Sequence, residues 1–169
     1  MALTYIVDAR PLDLMRREAD IALRPTQQPP DLWVGRQLLP IECAVYAHKD
    51  YWQRARDWPA QAQRWIVLEE LDQSPMSLMT QQAAAPHASI TRVNTVIASL
   101  ALTQAGLGLC ALPTYLGDGQ SDLLRVVEPE ARFTWDLWVL AHSDVRRNAR
   151  VQAFYAFISK ALKARDTIG

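Results

Sequence analysis

The sequence predicts an α/β fold. Short β-rich apolar runs alternate with stretches of helical spacing along the chain, the pattern of strands and crossing helices packed in layers. Residues 107–112 are apolar except for one glycine and are closed by Pro113, as a buried parallel strand is. The third observation is size, since 169 residues, half of them hydrophobic, suffice for a real core.

In order, a strand is expected over residues 3–7 and a helix starting within residues 8–11. There Asp8 is a good N-cap and Pro11 suits a first turn. A strand over residues 20–24 follows, halted by Pro25. Residues 26–37, TQQPPDLWVGRQ, read as a polar, proline-marked connection. Residues 38–48 form an extended segment interrupted only by Pro40, long enough to cross between two lobes. Residues 50–63 read as a helix or turn, and residues 64–68 as a strand.

Ser74 with Pro75 marks a helix start, SPMSLMTQQAAA, broken by Pro86. A strand over residues 90–93 feeds a helix over residues 94–104, which carries Val96, Ile97, Leu100 and Ala101 at helical spacing and ends at Gly106. Strands over residues 123–127 and 133–141 follow. The last helix is capped by Ser143 or Asp144 and places Val151, Phe154, Ile158 and Leu162 on one face.

Composition excludes several classes of function. Eighteen basic residues balance eighteen acidic ones, so the basic surplus that phosphate neutralisation calls for is missing and the chain alone does not read as DNA-binding. No apolar run approaches the roughly 20 residues of a membrane span, and the N-terminus MALTYIVDARP lacks the basic start of an export signal. Cys43 and Cys110 sit far apart inside apolar runs and read as buried, reduced thiols of a cytoplasmic protein.

No GxSxG, HExxH, CxxC or phosphate-loop pattern is present, and AGLGL lacks the third glycine of a dinucleotide fingerprint. His48, His87 and His142 read as ordinary surface or hinge histidines, Glu69 and Glu70 as a solvated strand end, and the six scattered tryptophans as packing residues. Neither a catalytic set nor a metal or cofactor site is expected.

A binding reading fares better, because open α/β sheets hold ligands at the carboxyl ends of strands, where helix N-termini present unpaired N–H groups. Three junctions have that form: Asp8 with Ala9, Ser74 with Pro75, and Asn94 with Thr95. The alternative at each is that Ser74, Asn94 or Thr95 merely caps its own helix. Arg24 either pairs with an anionic ligand through its fork of donors or bridges to an acid of its own lobe.

Four segments, READIALRP, LLPIECAVYAHKDYW, ITRVNTVIASLALTQAGLGLCALPTYLGD and LWVLAHSDVRRNARVQAFYAFISKAL, resemble the effector-binding domain of LysR-type transcriptional regulators. The resemblance runs over residues 3–162, and the third and fourth segments in that order are its most specific part. It implies a type II periplasmic-binding-protein-like fold, with two α/β lobes joined by two crossing strands and a small-molecule effector between them. Lobe I would hold about residues 1–42 and 138–169, and lobe II about residues 43–137, with crossings near residues 41–45 and 137–140.

Family contacts carried onto this chain fall on Asp8, Ala9, Ser74, Pro75, Met76, Asn94 and Thr95, with Arg24 nearby. The implied partner is a small effector, an organic anion among the candidates, with DNA reached only through a helix-turn-helix domain that these residues do not encode. The family's effector domain also opens with one further strand and helix. Their absence leaves the first lobe incomplete and implies exposed apolar surface and homo-oligomers. The competing expectations are a stand-alone solute-binding protein and a degenerate regulator fragment acting only through oligomerisation.

Overall fold

The structure, a computed structural model, describes residues 4–6, 19–69, 74–145 and 148–165. The helix expected to start within residues 8–11, and with it Asp8 and Ala9, lies outside the described residues. In chain order the elements are β1 (Ala22–Thr26), β2 (Trp33–Ile41), β3 (Cys43–His48), α1 (Lys49–Ala55), β4 (Arg64–Leu68), α2 (Pro75–Ala83) and β5 (Ser89–Val93). They continue with α3 (Val96–Gln104), β6 (Leu109–Pro113), α4 (Thr114–Gly117), β7 (Leu123–Val127), β8 (Trp135–His142) and α5 (Ala149–Arg165). The chain divides into two compact units, Met1–Pro40 with Trp135–Gly169, and Ile41–Thr134.

The second unit is built on a five-stranded sheet in the order β5-β4-β6-β3-β7. β4 runs parallel to both β5 and β6, whereas β3 runs antiparallel to β6 and β7. Both faces of this sheet are covered, which is why its central strands are apolar without alternation. Cys43, Val45, Ala47, Trp65 and Leu109 pack on one side with Met79 and Phe133. Ala44, Tyr46, Ile66, Cys110 and Leu112 form the other side, under Val96 and Leu100 of α3. Burial of each large side chain contributes about 1.5–3 kcal/mol before entropic costs.

α3 faces inward with its hydroxyls. Ser99 and Thr103 are buried and donate to Thr95 O and Ser99 O, one turn back, so neither hydroxyl is orphaned by burial. The apolar Ile97 points outward, 66% exposed. Gly106 closes the helix with φ of +71°, the left-handed conformation that a residue without Cβ adopts freely.

The first unit carries a three-stranded sheet in the order β1-β8-β2 among the described residues. β1 runs antiparallel to β8, with Ala22 opposite Leu140 and Thr26 opposite Asp136. Its core joins Val139 and Ala141 to Val151 and Tyr155 of α5, with Ile21, Leu38, Phe154 and Ile158 around them. The Tyr155 hydroxyl donates to Val34 O at 3.0 Å. Gly35 has no room for a side chain, since a Cβ there would sit 1.9 Å from Val139 O.

Several expectations are corrected. Residues 4–6, within the first expected strand, form none. Pro25 does not halt its strand but lies inside β1, opposite Leu137, and β1 is an edge strand among the described residues, where a missing N–H costs least. Trp33–Gln37, read as connection, belong to β2. α5 is capped by neither Ser143 nor Asp144, which form a 3-10 turn. Asn148 caps it instead, its Oδ1 accepting from Arg150 N at 2.9 Å.

Candidate functional site

The parallel pair β4 and β5 ends in step, with Leu68 opposite Val93 and Glu69 N donating to Val93 O at 2.8 Å. The helices that follow therefore both begin at one edge of the second unit's sheet. Ser74 caps α2, its Oγ accepting from Ser77 N at 3.1 Å, with Pro75 in the first turn. Pro at this position gives up only an N–H that had no helical partner. Ser74 and Pro75 are buried, and Met76 packs partly buried against the core.

At the end of β5 the cap is Thr95, whose Oγ1 accepts from Ala98 N at 3.1 Å. Asn94, one residue earlier, is exposed like Thr95 and does not fill the cap position. Ser74, Pro75, Met76, Asn94 and Thr95 thus fall at the carboxyl edge of one parallel pair. The positive ends of two helix dipoles lie there as well, with their first-turn N–H groups shared between the caps and solvent.

Two features of this edge were missed in the sequence. β6 runs parallel to β4 and ends there too, passing directly into α4, so Thr114 and the 65% exposed Tyr115 join the edge. β3 runs the other way and starts there, with Cys43 opposite Pro113 and Thr114 N donating to Glu42 O at 2.9 Å. The signal was the Pro-Thr-Tyr sequence after the apolar run, read only as the close of a strand.

α4 is anchored from beneath. Tyr46, buried in β3, donates its hydroxyl to Asp118 Oδ1 at 2.7 Å. Arg125 of β7 grips the same carboxylate with Nε at 2.8 Å and Nη2 at 2.5 Å, and reaches Glu128 at 3.0 Å. The Arg125 hydrogen bonds hold the Asp118 carboxyl below its usual range. Burial, followed by the bond to Asp118, pushes the Tyr46 phenol up.

Arg24 belongs to the first unit, in β1 opposite Trp138. Its guanidinium lies 5.8 Å from the Trp33 ring centroid, a cation–π contact. Cys43 and Cys110 are free and buried, and burial pushes both thiols up to about 12. His48 and His142 accept backbone N–H groups from Asp50 and Asp144. Among the described residues no three or more His, Cys, Asp or Glu gather as metal ligands, and no helix is long and apolar enough to cross a membrane.

Solved structures share this architecture. The regulatory domain of CrgA, a LysR-type transcriptional regulator from Neisseria meningitidis, matches with a TM-score of 0.68 at 21% identity, over 88% of this chain and 78% of that one. The AmpR effector-binding domain from Citrobacter freundii gives a TM-score of 0.73 at 11% identity, over 93% and 81%. Full-length LysG from Corynebacterium glutamicum with bound effector Arg gives 0.65 at 12% identity, over 88% of this chain and 52% of that one. Comparison with curated proteins finds no match. The fold is therefore that of LysR effector-binding domains, periplasmic-binding-protein-like of type II. With residues 3–163 matching the family described as the LysR substrate binding domain, the chain belongs to that family.

Proposed function

We propose that the chain is the small-molecule-sensing part of a LysR-type transcriptional regulator, acting in the cytoplasm without chemistry of its own. Its ligand is a small organic anion or polar metabolite held in a cleft between two lobes. The proposed contacts are Ser74, Pro75, Met76, Asn94 and Thr95, with Asp8, Ala9 and Arg24 as the further contacts that the family resemblance implies. The observation that carries this reading is the in-step ending of β4 and β5, which starts α2 and α3 at one edge. Helix N-termini favour negative charge.

In an intact regulator such a ligand acts by binding two arrangements of the lobes unequally, since only differential affinity shifts an equilibrium. Homo-oligomers then pass the shift to attached DNA-binding domains. These residues, with balanced charge, are not expected to bind an operator directly, and a gel shift with sequence-specific binding would contradict that.

The test is a thermal-shift screen against small carboxylates and aromatics, repeated on Thr95→Ala and Ser74→Ala. A reproducible rise in melting temperature that shrinks in the variants supports sensing. No rise across a broad library favours a fragment acting only through oligomerisation.

A further inference from the structure

We infer that Tyr115 is a specificity-determining residue of the proposed effector site, offering its ring face to an aromatic carboxylate. This deepens the effector reading above and rests on it. Tyr115 is 65% exposed in the first turn of α4, at the end of β6. β6 lies beside β4, whose end leads to Ser74.

An exposed tyrosine on a loose loop would carry no argument, but this one sits on a fixed mount. α4 has only four residues, too few to hold their shape through helical hydrogen bonds alone. Tethers on both sides supply the rest. Thr114 N is bonded to Glu42 O, Gly117 lies on the Tyr46 ring, and Asp118 is held by Tyr46 and Arg125 together. With the backbone already fixed, only the side-chain torsions of Tyr115 lose freedom when a ligand stacks on its ring, so more of the contact appears as affinity than on a loose loop. Offset or edge-on aromatic contact adds selectivity that a saturated ring of similar bulk does not receive.

The experiment compares phenylacetate with cyclohexylacetate by titration calorimetry in the wild type, Tyr115→Phe, Tyr115→Ala and Thr95→Ala, each checked for folding by circular dichroism. The expected result is tighter binding of phenylacetate by the wild type and by Tyr115→Phe. In Tyr115→Ala, phenylacetate should weaken about 2- to 10-fold and the preference over the saturated acid should vanish. An unchanged preference in Tyr115→Ala overturns the inference, as does equal or absent binding of the two acids by the wild type. If Thr95→Ala weakens binding while Tyr115→Ala does not, the effector reading survives and the role of Tyr115 falls.

Discussion

Gly117 lies against the ring of Tyr46 so closely that a Cβ on the glycine would stand 2.3 Å from Tyr46 Cζ. The ring is 99% buried in β3, and its hydroxyl is tied to Asp118. It therefore has no room to retreat. Gly117→Ala is expected to destabilise the protein by about 1–3 kcal/mol, the usual cost of overpacking. Urea unfolding followed by circular dichroism measures this, and a cost under about 0.5 kcal/mol, typical of a surface change, would refute the contact.

The Asp118 carboxyl is held below its ordinary value of 3.8 by Arg125 first. A carboxyl depressed in the folded state adds stability that is present above its unfolded value and is lost as pH falls through the folded value. The pair is partly exposed, so the contribution is small, within about 0–1 kcal/mol. Urea midpoints of the wild type and Asp118→Asn should differ near neutral pH and converge in acid. A gap independent of pH would show that the charge is not responsible.

Cys43 and Cys110, buried with thiols pushed up to about 12, should not react with a thiol reagent at about pH 8, since the thiolate is the reactive form. Both should react in urea. Rapid labelling of either under native conditions would contradict its burial.

Thr95 and Asn94 separate by their hydrogen bonds. Thr95→Ala removes the oxygen bonded to Ala98 N and should cost about 1 kcal/mol. Asn94→Ala, outside the cap position, should cost less than about 0.5 kcal/mol. Equal effects in denaturant unfolding would mean that the cap is misassigned.

Much of the second unit was legible because its local signals agree with its tertiary setting. The apolar run that ends at Leu112, the Ser74-Pro75 start and the turn at Gly106 each have one physical solution. The edge of the first unit was less so, since Pro25 signals a break, and only a sheet position that does not need its N–H lets the strand continue. α3 misleads in another way. Its hydroxyls satisfy themselves on its own carbonyls, so Ser99 and Thr103 can face the sheet beside Val96 and Leu100 while Ile97 faces out, and apolar spacing alone therefore marks only part of the buried face. The role of Tyr115 was hidden because nothing local shows that β6 ends beside β4.

β3 is the strand that opposes its neighbours β6 and β7, and its first residue follows the joint between the units at Pro40 and Ile41. β7 finishes at the same border, from which the polypeptide proceeds to the second joint at Thr134 and Trp135. Both chain connections of this unit thus leave from the border at which β4 and β6 end, so a substitution along that border can disturb them without first disturbing the packed interior.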